Sequence, residues 1–235
     1  MSLVMCACLC AGAVAEETAD PEAVEAQYRT AMEQGTLQAR RGNVATALAR
    51  FKRACSLKPM SAEALFRLAL TYCDAQMYSA AESTAQKATM LENNHAGAWL
   101  VLGTALFHLD REAEAIQRLD KAFQLDKANP HIPYLLGRCY YFGMNDRPQA
   151  GEYFKRTLVL DPNYTPAAFM LACCYFDVGM PGQAATYYDA VIKAEPQNNE
   201  ARFRRALSSL REKHFEEAED MLLEVVKNAD TDFRA

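Results

Sequence analysis

A chain of 235 residues that is 51% hydrophobic and 23% charged has the balance of a folded globular protein, far from the disordered class. Its formal net charge of −5, with no cluster of lysine and arginine, gives it no means of neutralising a phosphate backbone and argues against nucleic acid as the main partner. No apolar run approaches the roughly 18 residues that would span a bilayer.

Leu3 to Ala15 carry no charge, end in Ala13-Val14-Ala15 and are followed at once by Glu16 and Glu17. An apolar stretch closed by a small-x-small triplet is what a signal peptidase reads, so residues 1–15 are expected to be a cleaved leader. No basic residue precedes the stretch, the first being Arg29, and an uncleaved apolar tail is the alternative. Cleavage implies an exported protein, periplasmic or secreted; without it the chain is cytoplasmic. Cys10 follows Leu9 rather than a small residue, a departure from the lipoprotein pattern. Residues 16–27 read as a short acidic linker running into a first helix. That helix starts at Asp20-Pro21-Glu22, with a capping carboxylate, a proline in the first turn and an acid facing the dipole.

From there the chain repeats itself. Ala47, Ala81, Ala115, Ala150, Ala184 and Ala218 are separated by 34, 34, 35, 34 and 34 residues. A sustained period of that size marks a stack of helical repeats. The units are approximately 28–61, 62–95, 96–129, 130–164, 165–198 and 199–235. Each has a second small residue in its first helix, namely Gly35, Ala69, Gly103, Gly137, Ala172 and Ala206, where two helices can cross closely. Four residues after each repeat alanine come Phe51, Ala85, Leu119, Phe154, Tyr188 and Leu222. Three further on come Ala54, Ala88, Ala122, Thr157, Val191 and Val225, completing one helical face. Pro59, Pro162 and Pro196 are expected to stop the second helices of their units. The single 35-residue step is expected in the turn Gly143 to Pro148, because loops absorb length cheaply. A seventh unit would begin near Phe233, so the last helix is expected either to expose its apolar side or to be covered by a partner or by further chain.

No nucleotide-binding, serine-nucleophile, zinc-protease or C-x-x-C motif is present, and the four histidines are scattered. No enzyme activity, cofactor, metal or small-molecule substrate is expected. Cys55, Cys73, Cys139, Cys173 and Cys174 are an odd set, which forbids complete pairing within the expected mature chain. Cys173 and Cys174 are adjacent and point about 100° apart on a helix, unsuited to a shared metal or an unstrained disulfide.

Trp99-Leu100-Val101-Leu102-Gly103 with Ala115 and Leu119 resembles the tetratricopeptide pattern W-x2-L-G…A-x3-F…P. Tyr134-Leu135-Leu136-Gly137 with Tyr140, Ala150, Phe154 and Pro162 is closer still, and Ala172, Tyr175, Ala184, Tyr188 and Pro196 repeat it. The resemblance covers about residues 28 to 235. It implies an all-α, right-handed superhelical solenoid of antiparallel helix pairs whose first helices line a concave groove for a protein or peptide partner. Carried over, the groove-facing residues are Phe66, Leu70, Cys73 and Asp74, then Leu100, Thr104, Phe107 and His108, then Tyr134, Arg138, Tyr141 and Phe142. Phe169, Cys173, Phe176 and Asp177 follow, and finally Phe203, Leu207 and Arg211. Aromatic anchors beside an arginine are a hot-spot composition, although aromatics at these slots also pack between helices. Phe107, Arg138 and Phe142 are expected to be the least required by packing. Cys139 and Cys174 take a slot where the family often has alanine and are expected to be buried, inert thiols. The lysine and asparagine with which one subfamily clamps chaperone tails are missing; Met32, Thr36, Phe66, Leu70 and Leu100 stand there. The implied function is a protein-interaction scaffold, by analogy in envelope assembly or secretion if the leader is cleaved. A cytoplasmic adaptor, or a repeat domain of a larger enzyme or sensor, is the alternative.

Overall fold

The computed structural model describes residues 20–232. Twelve α-helices are found among them, joined by short turns and without strands. The first unit is α1 (Pro21–Arg40) and α2 (Val44–Leu57); α3 (Ala62–Asp74) and α4 (Tyr78–Leu91) form the second, α5 (Ala96–His108) and α6 (Glu112–Leu125) the third. The fourth comprises α7 (His131–Arg138), a π-helical turn (Cys139–Gly143) and α8 (Arg147–Leu160). α9 (Thr165–Asp177) with α10 (Pro181–Ala194), and α11 (Asn199–Arg211) with α12 (Phe215–Asp232), complete the stack. Each helix packs chiefly on its neighbours in sequence, as in a solenoid.

The repeat alanines are fully buried: all six are 0% exposed. Opposite them, a side chain four residues along the second helix fills the space left by the small residue of the first. A methyl added at Gly35 would lie 2.7 Å from the Phe51 ring, at Gly103 2.6 Å from Leu119, and at Gly137 2.6 Å from the Phe154 ring. The second unit solves the same crossing differently, with Ala69 and Ala85 together in the core. Each glycine of a first helix is thus matched to the bulky side chain that occupies its Cβ space.

Proline is not what ends the second helices. α4 and α6 lack it, yet Glu92 (φ −137°, ψ 91°) and Asp126 (φ −136°, ψ 93°) leave the helix in the same extended conformation as Asp161 (φ −139°, ψ 98°). Side-chain caps restart several of the following first helices: Ser61 Oγ, His95 Nδ1 and Asn198 Oδ1 each accept a backbone N–H three residues on.

Every turn inside a unit is three residues long, and its middle residue is left-handed: Gly42, Gln76, Asp110, Asn145, Gly179 and Lys213, with φ between 55° and 79°. The following residue closes the turn by donating its N–H to the carbonyl five residues back, as from Met77 to Tyr72, Arg111 to Leu106 and Met180 to Tyr175. A left-handed glutamine carries a backbone penalty that glycine lacks. Gln76→Gly is therefore expected to raise stability by about 0.5–1 kcal/mol in denaturant titration, the relieved strain exceeding glycine's extra chain entropy.

The 35-residue step is not a longer turn. From Gly137 to the end of its helical segment is six residues, against five in all the sibling units, and the turn that follows has the usual three. The extra residue is taken up in the π-helical turn, where Met144 N–H donates to the Cys139 carbonyl and the closing bond, from Asp146 to Tyr140, reaches six residues back. Gly143 has a specific reason to be glycine, because a methyl there would meet the Glu112 side chain at 2.4 Å.

Candidate partner-binding groove

First helices of successive units touch one another, as α3 and α5 do, whereas no pair of second helices packs to that extent. In the solenoid that the repeats form, this layer of first helices is the inner one. Counting from the small residue of each first helix, the side chains three before, one after, four after and five after lie along this inner layer. They meet the next unit there: Phe66 packs on His95 at 4.6 Å between ring centres, and the Arg138 guanidinium lies 4.6 Å from the Phe107 ring. The Tyr141 hydroxyl donates to Asp177 Oδ2 at 2.7 Å, and the Arg211 guanidinium lies 3.5 Å from the Phe176 ring. The predicted residues thus share one continuous surface and, for the most part, also hold its units together.

Their exposure sorts them. Phe66, Tyr134, Tyr141, Phe169 and Phe176 are half-buried. Tyr134 packs on Phe154 and Tyr164, and Phe169 meets the Tyr188 ring edge-on. Leu70 is 37% exposed, Phe142 57% and Phe203 40%. Phe203 has no following first helix beside it among the described residues. His108 is exposed but stacked flat on Tyr78 at 4.3 Å. Burial, with the Arg138 charge adding to it, holds His108 below the ordinary imidazole pKa, so it serves the groove as a neutral ring.

One expectation fails. Phe107 is 8% exposed and belongs to the core, because Arg138 from the following unit lies across its face. Cys173 is also wall rather than surface, buried and accepting a hydrogen bond from the Tyr188 hydroxyl. Cys139 and Cys174 are buried as expected, and burial pushes both thiols up to about 12, which leaves them protonated and unreactive. Sequence reasoning missed a second cluster. Arg147 donates to Asp177 and to the Tyr141 carbonyl while its guanidinium lies 3.8 Å from the Tyr141 ring. Reading Tyr141 and Asp177 as neighbours one unit apart would have pointed to it. Beside the aromatics lies a recess of about 300 Å³ whose lining includes Tyr134, Phe169 and Asn198. Among the described residues no group of three His, Cys, Asp or Glu could hold a metal ion.

The comparisons agree with this geometry. A family model described as "Tetratricopeptide repeat" matches residues 169–233, and one described as "Anaphase-promoting complex, cyclosome, subunit 3" matches residues 40–122. The chain is a tetratricopeptide-repeat protein. Among solved structures of this fold, Pseudomonas aeruginosa PilF is similar at a TM-score of 0.76 and 24% identity, over 87% of this chain and 93% of that one. YrrB, described as a tetratricopeptide-repeat protein with an unusual peptide-binding site, matches at 0.65 and 22%, over 76% and 91%. Cut9–Hcn1 of the APC/C matches at 0.73 and 18%, over 86% of this chain and 40% of that one. Among curated proteins there is no significant match in sequence. At these identities the likenesses show the fold, and the tetratricopeptide-repeat class is one of protein-interaction scaffolds.

Proposed function

We propose that the inner face of the stack binds an extended or helical segment of a partner protein. The observation that carries this reading is the set of apolar side chains left exposed on an otherwise interlocked surface. Leu70 stands out from α3 and Phe142 from the π-helical turn, where it meets the Tyr141 ring edge-on. Such side chains gain contact area on binding with little ordering cost. The peptide-binding site described for YrrB is in keeping with this use of the fold.

Arg138→Glu combined with Phe142→Ala is expected to abolish capture of partners from the source organism, read by mass spectrometry. Helicity should be kept and the melting temperature should stay within a few degrees of wild type. Undiminished capture would refute the groove, and a large loss of melting temperature would assign the two residues to packing.

The site of action is part of the same proposal. An exported protein would have lost residues 1–15, which lie outside the described residues. N-terminal sequencing of the protein from its host tests this, with Glu16 as the expected first residue; an intact Met1 start points to the cytoplasmic adaptor.

A further inference from the structure

The groove holds two arginines that no carboxylate answers among the described residues, in a chain whose formal net charge is −5. Three arginines on or beside it are neutralised inside the molecule: Arg67 by Glu63, Arg147 by Asp177 and Arg204 by Glu200, at 2.6, 2.9 and 2.6 Å. Two are not. Arg138 is half-buried, its guanidinium between the rings of Phe107 at 4.6 Å and Tyr134 at 5.9 Å, with no carboxylate in ion-pair reach among the described residues. Arg211, two units on, lies on the Phe176 ring and donates to the Phe176 carbonyl at 2.6 Å, also without a carboxylate partner. Each guanidinium rests on a ring face, which steadies the cation but supplies no counter-charge, and both forks keep donors unused. Asp74, in the second unit, is the reverse case, an inner-face carboxylate with no cation beside it, raised above its usual pKa by burial. Anion recognition therefore belongs to the fourth to sixth units.

Resting on the groove reading above, we propose that the partner segment is acidic in its interior, with aspartate or glutamate side chains flanked by apolar residues. One carboxylate pairs with Arg138 and another with Arg211, while apolar neighbours cover Phe142 and Phe203. The formal net charge of −5 offers an acidic segment no long-range attraction, so selection is made at contact by these two forks.

The test is a library of twelve-residue peptides displayed through their C-termini, so that no free terminal carboxylate is offered, selected on the full chain. Enriched sequences are expected to carry Asp or Glu beside aromatic or aliphatic residues. A fluorescent copy of one should lose about tenfold in affinity to Arg138→Gln, and as much on Asp→Asn in the peptide. The two changes made together should cost little more than either alone. Arg211→Gln, at an exposed position, provides the second variant should Arg138→Gln disturb folding. Enriched peptides without acidic residues that are still lost with Phe142→Ala would overturn the acidic partner and leave the groove standing. No enrichment, or binders indifferent to Phe142→Ala, would overturn both.

Discussion

Gly103→Ala is expected to destabilise the protein by about 1–3 kcal/mol although it places a better helix former in the middle of α5. The added methyl would sit 2.6 Å from Leu119 Cγ and 2.7 Å from Cδ2, and Leu119 is 0% exposed with nowhere to move. Leu119→Ala alone is expected to cost about 2–5 kcal/mol, because it empties a site whose surroundings cannot collapse. The two substitutions together should cost less than their sum by about 1–2 kcal/mol, since they rebuild the crossing the molecule already uses at Ala69 and Ala85. Urea titration of the four proteins measures the coupling directly. A strictly additive result would show that the helix pair accommodates each change independently and that volume is not shared across the crossing. Because unit boundaries weaken cooperativity in a stack, circular dichroism and fluorescence from Trp99 should be compared for coincident transitions.

How much of this was legible beforehand follows from which signals repeat. The alanines, the small residues of the first helices and the side chains four places along encode a contact made within one unit, so each unit states it again and the sequence carries six copies. The columns facing the groove were legible for the same reason: Phe66, Leu100, Tyr134, Phe169 and Phe203 stand at one register position. What one unit does to the next was not legible. Phe107 resembles Tyr141 and Phe176 at the same position, yet it alone is buried, joined to the core cluster of the second to fourth units with the Arg138 guanidinium over its ring. Helix endings misled in a different way. Proline after α2, α8 and α10 suggests a cause, but α4 and α6 end with the same backbone and no proline, so the ending belongs to the packing of the unit. The extra residue of the fourth unit is expected in the turn Gly143 to Pro148, and it lies instead in the π-helical turn Cys139–Gly143. Counting cannot say whether a residue enters a loop or a helix, which only the hydrogen-bond pattern distinguishes.

That distinction has a measurable consequence. Deleting Gly143 is expected to turn the π-helical turn into α-helix, restore the 34-residue step and leave the protein folded, with a melting temperature within a few degrees of wild type. The turn Met144-Asn145-Asp146, with left-handed Asn145, would follow Phe142 directly, as Leu109-Asp110-Arg111 follows His108. Deleting His108, which ends α5 in a unit that has no residue to spare, should cost roughly 3–5 kcal/mol. It forces the left-handed turn one position early and rotates the packed face of one helix against the other. Parallel urea titrations separate the two: similar large losses would mean that the fourth unit needs its π-helical turn for stability. If Gly143 is dispensable to the fold, the turn's cost must be repaid in what it presents. It directs Tyr141 onto Asp177 and Arg147 and leaves Phe142 the most exposed of the predicted groove aromatics. The Gly143 deletion should therefore bind an acidic groove peptide about tenfold more weakly while its stability stays near wild type. Unchanged binding would show that the widened turn is carried without use, and Phe142 would lose its standing as an anchor.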